Sequence, residues 1–197
     1  MNILVVDNYD SFVWNVVALL HESEPACRLT VVKNDEVDLA LTDDYDCILL
    51  SPGPGVPSEA GLMPEIIRRC ADTHSILGIC LGHQAIAECF GARLEQLQAP
   101  LHGVQDRLHI VKPEDDLLRG LSSDESIGHY HSWTVAREGF PDCLEITSMD
   151  GAGRIMSLRH KTKRLYGLQF HPESYMTSCG EKIIRNWLLT IHESTRK

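Results

Sequence analysis

No run of apolar residues in this 197-residue chain approaches the roughly 20 needed to span a bilayer, and Met1-Asn2-Ile3-Leu4 leads straight into strand-like sequence without a basic leader. A soluble, unprocessed protein is expected, with no membrane partner. Basic charge is scarce: 18 Lys and Arg face 28 Asp and Glu, a net charge of -10. That balance argues against a surface built to neutralise nucleic-acid phosphates. The main basic cluster, Arg159-His160-Lys161-Thr162-Lys163-Arg164, reads as a solvated turn between strands. Cysteines are present, but no two stand at a metal-ligand spacing. Seven of them, an odd number, are scattered at 27, 47, 70, 80, 89, 143 and 179, which suits reduced thiols in a cytoplasmic protein. His129-Tyr130-His131 has no carboxylate or cysteine at a ligand-like interval, so no metal and no cofactor are expected. Internal repeats, low-complexity tracts and heptads are also missing.

What is present is enough apolar sequence, 43% of the chain, to bury one substantial core, and residues 1–197 are expected to form one domain. Short apolar runs at 3–6, 29–32, 47–50 and 76–79 are interleaved with helix-like spacing at 12–20, 63–70 and 82–90. Asp10 and Ser11 stand where N-caps of the first helix would. The order predicts an α/β fold with an open, largely parallel central sheet flanked by helices. After residue 90 come closely spaced β-like pieces at 91–97, 107–111, 132–135, 144–148, 155–158 and 165–170, which predict additional antiparallel strands. A last stripe of Ile183, Ile184, Trp187, Leu188 and Ile191 predicts a helix packed back on the core.

Two short patterns carry chemistry. Leu77-Gly78-Ile79-Cys80-Leu81-Gly82-His83-Gln84 sets a cysteine between glycines two residues away on either side, after an apolar run and before a helix. A nucleophile elbow asks for small residues there, because the nucleophile sits on a strained strand-to-helix turn and a Cβ two residues off would collide with it. The same residues suit a plain tight turn around a small buried thiol. Downstream, Leu165-Tyr166-Gly167-Leu168-Gln169-Phe170 reads as a strand delivering His171, Pro172 and Glu173. Strand residues two apart point the same way, which sets Glu173 beside the His171 ring. Pro172 tends to end the pairing there.

A nucleophile (Cys80), a proton carrier (His171) and an orienting carboxylate (Glu173) are thus available. The N–H of Leu81, next after the nucleophile, suits an oxyanion donor. Gly53, Pro54 and Gly55 form a loop whose backbone can approach a ligand closely. Gln84 lies one helical turn after Cys80, on the same face. Taken alone, that loop reads first as an ordinary turn and Gln84 as a helix-surface amide.

These blocks combine with Asp7-Asn8-Tyr9-Asp10-Ser11-Phe12, Ser51-Pro52-Gly53-Pro54-Gly55, Tyr130-His131-Ser132-Trp133 and Gln169-Phe170-His171-Pro172-Glu173-Ser174. As a set, spanning nearly the whole chain in the family's order, they resemble the class I glutamine amidotransferases. The opening block resembles the branch that serves anthranilate synthase and aminodeoxychorismate synthase. The resemblance implies a flavodoxin-like α/β fold and hydrolysis of L-glutamine by a Cys80, His171 and Glu173 triad. It implies that the Gly55 N–H joins Leu81 in the oxyanion hole, that Gly53 and Pro54 line the substrate site, and that the backbone at Ser132 and Trp133 holds the amino-acid end of glutamine with help from Gln84. It further implies ammonia delivery to a chorismate-binding synthase subunit. That partner makes anthranilate for tryptophan or, alternatively, aminodeoxychorismate for folate, with residues 7–12 and the His102-Gly103 loop on the docking side. The chain departs from the family pattern at Trp133, often leucine, and at Val104, usually lysine after His-Gly.

Other readings compete. A response-regulator receiver would need a phosphate-accepting aspartate closing the third strand, where this chain has Leu50-Ser51-Pro52. A cysteine peptidase or γ-glutamyl hydrolase of similar fold would keep the elbow and need no synthase partner. A glutaminase of guanylate or carbamoyl phosphate synthesis fits the elbow too, but not the Asp7 to Phe12 block.

Overall fold

In the computed structural model, which describes residues 1–194, strands and helices alternate through the first half of the chain. They are β1 (Asn2–Asp7), α1 (Val13–Ser23), β2 (Arg28–Lys33), β3 (Cys47–Leu50), α2 (Met63–Cys70), β4 (Ser75–Ile79) and α3 (Leu81–Cys89). The second half is mostly β: β5 (Leu94–Arg107), β6 (His109–Ile110), β7 (Ser126–Val135), β8 (Leu144–Met149), β9 (Ile155–His160) and β10 (Leu165–Leu168), followed by α4 (Gly180–Ser194). An eight-stranded sheet has the order β2-β1-β3-β4-β10-β9-β8-β6. Its first five strands pair in parallel and the remainder antiparallel. This is the mixed α/β architecture expected from the order of apolar runs.

Both faces of the inner parallel strands β1, β3, β4 and β10 are covered, which is why they read as unbroken apolar runs instead of alternating ones, whereas the edge strand β2 is half exposed. Ile3 and Val5 of β1 join Leu49 and Leu77 in one core with Val16 and Leu20 of α1 and Ile184 and Trp187 of α4. Leu4, Val6, Ile48 and Leu50 face the other way, into a core with Met63, Ile66 and Ile67 of α2 and Ala85 and Ile86 of α3. Each fully buried aliphatic contributes about 1.5–3 kcal/mol, so the sheet's alternation of faces fixes where every helix lies. Trp187 is fully buried, and its indole N–H donates to Ser75 Oγ at 3.0 Å, tying α4 to the start of β4. Among the described residues no helix is long and apolar enough to cross a membrane.

Three local expectations need correction. Phe12 takes the capping position of α1 without a side-chain cap; Asp10 instead accepts the Phe12 N–H at 2.7 Å in the preceding turn. The strand expected at 165–170 stops at Leu168. Finally, the short pieces expected at 91–97 and 132–135 belong to a longer, separate two-stranded ribbon of β5 and β7. Its register shifts between Gln96 and Leu101 and again between His102 and Val104. Such bulges erase the period-two pattern from which a strand is read.

Candidate active site

Cys80 stands between β4 and α3 with φ 51° and ψ -99°, one of two non-glycine residues with positive φ among the described residues. A side chain there costs about 1–2 kcal/mol, and the surrounding backbone enforces it. The Cys80 N–H donates to Leu168 O at 2.7 Å, and its carbonyl accepts the Gln84 N–H at 3.0 Å. The flanking glycines are required, but for another reason than the sequence suggested. A Cβ on Gly78 would lie 2.4 Å from the carbonyl carbon and oxygen of Gly82, and one on Gly82 would lie 2.6 Å from Leu50 O. They let the first turn of α3 rest on β4 and β3; clearance for the Cys80 side chain is not what demands them.

His171 lies three residues beyond the end of β10. Its Nδ1 donates to Glu173 Oε1 at 2.6 Å, and both side chains are buried. The expected pairing is present, yet a turn makes it, not strand alternation. Ser174 N–H bonds His171 O at 3.2 Å, Thr177 Oγ1 donates to the same carbonyl at 2.6 Å, and the His171 N–H reaches Gly128 O of β7 at 3.2 Å. The ring edges against Tyr130 and Phe12, with centroids 5.0 and 5.4 Å away. Burial opposes a charge on this ring, but Cys80 and the Glu173 carboxylate outweigh it and raise its pKa to about 10. Nε2 has no hydrogen-bond partner among the described residues, so its approach to the Cys80 sulfur falls short of a formed bond. Such contacts tighten when substrate is bound.

Two cavities meet at Cys80. The first, of about 200 Å³, is lined by Gly53, Pro54, Gly55, Gln84, Ser132 and Trp133 with Cys80, which brings together the substrate-side residues proposed from the sequence. Leu81 is absent from this lining because its side chain packs in the core under α2 and α3; as the first residue of α3, its N–H has no carbonyl one turn back. Gly53 lies so close to Asn8 that a Cβ would come within 2.6 Å of the asparagine Cβ. Gly55 has φ 73°, favouring glycine. Gln84 is buried, and its Nε2 donates to Trp133 O at 2.8 Å and to Gln169 Oε1 at 3.1 Å. It is therefore a brace for the cavity wall, not the surface amide that helix position alone suggested.

The second cavity, of about 390 Å³, is lined by Asp10, Phe12, Pro52, His102, Tyr130 and His171 with Cys80. Burial raises the pKa of Asp10, on its rim. Gln169, with Nε2 at 3.6 Å from Cys80 Sγ, was missed by the sequence reading, as were Tyr130 and His131 as site residues. Gln169 stands two residues before His171, so the spacing used to pick Glu173 pointed to it as well. Sequence spacing also failed to show that Asp106 and Asp150 converge on His129, with ligand-type atoms within 4.8 Å of one another. A guanidinium serves as the cation there: Arg154 Nε lies 2.5 Å from Asp150 and Nη2 3.8 Å from Asp106.

Residues 4–191 match the family described as Glutamine amidotransferase class-I. Anthranilate synthase component 2 of Mycobacterium tuberculosis is 40% identical, covering 95% of this chain and 82% of the relative. Aminodeoxychorismate synthase component 2 of Escherichia coli is 37% identical over 94% of this chain and 98% of its own length. A solved structure from Thermoplasma acidophilum, described as a GMP synthase subunit protein, superposes with a TM-score of 0.87 at 28% identity, covering 100% of this chain and 96% of the other. With an elbow cysteine beside a buried His–Glu pair and this likeness running through nearly its whole length, the chain belongs to the class I glutamine amidotransferases.

Proposed function

We propose that this chain is the glutaminase subunit of anthranilate synthase, hydrolysing L-glutamine at Cys80 and passing the ammonia to a chorismate-binding synthase subunit. The observation that carries the reading is Cys80 on its left-handed turn beside the buried His171–Glu173 pair, where two cavities meet. The sulfur, its proton held on His171, adds to the side-chain amide carbon of glutamine in the first cavity. Negative charge develops on the amide oxygen, for which the N–H groups of Leu81 and Gly55 are the proposed donors; losing one such donor typically slows catalysis roughly 10²- to 10³-fold. His171 gives its proton to the departing nitrogen, the C–N bond breaks, and ammonia leaves a γ-glutamyl thioester. His171 then takes a proton from water as the water attacks the thioester, the C–S bond breaks, glutamate is released and the free sulfur is restored. Glu173 orients the ring and favours its charged form throughout.

The second cavity supports the delivery half of the proposal. It begins at the same sulfur and leads past Phe12, Tyr130 and His171 toward the Asp7 to Phe12 segment, where Tyr9 is exposed. Ammonia that reaches bulk water is mostly protonated and loses the lone pair needed to attack chorismate, so an enclosed passage favours transfer. Val104, half exposed on β5, stands beyond the bulge at Gly103 on the ribbon that supplies His102 to both cavities. A second reading has support from fewer of the relatives' names: the partner makes aminodeoxychorismate. A Bacillus subtilis relative, 38% identical, is named for both products.

Purifying the chain with its co-eluting synthase partner and identifying the product from chorismate and glutamine separates the two. Cys80→Ser is expected to abolish glutamine-dependent synthesis while synthesis from added ammonia persists. Equal loss with both nitrogen sources would remove Cys80 from its proposed role, and strong peptide hydrolysis without glutamine turnover would point to a peptidase instead.

A further inference from the structure

A continuous run of hydrogen bonds lies beside the first cavity, and the chemistry above does not use it. Gln169 Nε2 reaches Cys80 Sγ at 3.6 Å, while Gln84 Nε2 donates to Gln169 Oε1 and to Trp133 O. The Trp133 carbonyl is also 2.8 Å from His131 Nδ1, and His131 Nε2 is 3.0 Å from His129 Nδ1. Gln84, Gln169, His129 and His131 are all buried.

With both rings neutral, only one arrangement of protons satisfies every contact. A carbonyl accepts and cannot donate, so His131 Nδ1 carries the hydrogen that faces Trp133. A neutral His131 then offers a bare Nε2, and His129 Nδ1 must supply the N–H between the rings. The two hydrogens of Gln84 Nε2 serve its two acceptors, and Gln169 keeps an N–H for the sulfur. A second proton on His131 would set N–H against N–H at 3.0 Å unless His129 moved its own hydrogen to Nε2. Burial disfavours that proton, lowering the His131 pKa to about 3 and shifting His129 in the same direction.

The run joins parts of the fold that no β-ladder joins. Trp133 belongs to the β5–β7 ribbon, whereas Cys80 follows β4 of the eight-stranded sheet. Near the sulfur, the side-chain run is what ties the cavity wall to Cys80, while the His171 N–H to Gly128 O, Ser178 N–H to Ser126 O and Gly128 N–H to Thr177 Oγ1 bonds hold the ribbon farther along β7.

We propose that Gln169 and His131 are positioning residues: Gln169, acting through Gln84, and His131, bonded directly to the Trp133 carbonyl, hold the Trp133 backbone at a set distance from the Cys80 sulfur, so that a bound free amino acid of glutamine's length presents its amide carbon to the thiol. The inference rests on the glutaminase reading and adds to it the two residues that set substrate reach. A misplacement of about 1 Å can cost roughly 100-fold in rate, and the bonds concerned are short enough to transmit one.

Three variants of the complex test this. His131→Leu removes both ring bonds, His131→Asn keeps a donor near the Nδ1 place, and Gln169→Met keeps volume while deleting its bonds to sulfur and to Gln84. Glutamine hydrolysis gives kcat and KM, iodoacetamide alkylation reports Cys80 with a probe that needs no amino-acid site, and thermal melting reports folding. His131→Leu is expected to raise KM for glutamine roughly 10-fold while the alkylation rate stays within about two-fold, and His131→Asn to recover most of that KM. Gln169→Met is expected to lower kcat roughly 10- to 100-fold. Folded variants with unchanged KM and kcat overturn the inference, as does His131→Asn no better than His131→Leu. Should His131→Leu not fold, an unchanged kcat in Gln169→Met suffices to overturn it. A wild-type complex that hydrolyses no glutamine would overturn the glutaminase reading, and this inference with it; a wild type that does, beside indistinguishable variants, overturns this inference alone.

Discussion

At single residues, the site is governed by the atoms that small side chains leave out. Gly78 and Gly103 show the difference between a glycine required by contact and one favoured by conformation. A methyl on Gly78 would meet backbone atoms of Gly82 and His83 at 2.4–2.7 Å, and neither β4 nor α3 can retreat without disturbing the core between them. Gly103 has φ 68° but nothing within 4 Å of its would-be Cβ. Gly78→Ala should therefore cost more than about 2 kcal/mol through overpacking, a fall of roughly 4–8 °C in Tm for a chain of this size. Gly103→Ala should cost about 1–2 kcal/mol, the backbone term alone. Calorimetry on the two variants checks the ranking; equal losses would mean that α3 can shift off β4. Glu173→Gln is a third test at this scale, expected to lower kcat for glutamine hydrolysis at least roughly 10-fold, because the amide cannot favour a charged ring. Turnover equal to wild type in steady-state assays would sink the orienting role.

Among elements, the His171 imidazole owes its place to a short turn that bridges β10 and β7. Thr177 Oγ1 does two jobs there, accepting the Gly128 N–H at 3.0 Å and donating to the His171 carbonyl at 2.6 Å. Thr177→Val keeps the shape and leaves a buried N–H and carbonyl without this partner, which costs about 1–3 kcal/mol. Glutamine turnover is expected to fall with it, since the His171 ring loses an anchor, while Thr177→Ser should behave like wild type. A valine variant with full kcat would show that Phe12, Tyr130 and Glu173 hold the ring unaided. This turn also marks the limit of what the sequence shows. Cys80 and His171 were legible because a strained elbow and a His-Pro-Glu run just after a strand each leave a local pattern, and the inner parallel strands because two-sided burial leaves unbroken apolar runs. The β5–β7 ribbon was not, since its bulges and its largely exposed β5 break the alternation. With the ribbon went the places of Tyr130 and His131 in the cavity walls and the convergence of Asp106 and Asp150 on His129. Those contacts are long-range, and no spacing along the chain encodes them.

For the whole molecule, buried histidines set how stability depends on pH. Burial lowers the pKa of His83 to about 4 and that of His131 to about 3, against an ordinary value of 6.5. Between pH 6.5 and those values the unfolded chain binds protons that the folded chain refuses, so stability falls as pH falls, by about 1.4 kcal/mol per pH unit for each ring. Asp115 works in the opposite direction: burial raises its pKa to about 6, so the folded chain binds the extra proton between pH 6 and the usual carboxylate range, offsetting one ring. His171, raised to about 10, contributes stability that is fully present below pH 6.5 and is lost as pH rises through 10. Stability should therefore be greatest near pH 6.5–7, fall by roughly 2–3 kcal/mol by pH 5 and decline again toward pH 10. Urea melts across this range test the shape, and His83→Gln tests the cause. Whatever that variant does to stability at pH 7, its acid limb should flatten by one proton's worth, about 1.4 kcal/mol per pH unit. An unchanged slope would mean that His83 carries a proton inside the fold, between α3 and the β10 glycine at 167 that a Cβ would bring within 2.6 Å of its Nδ1.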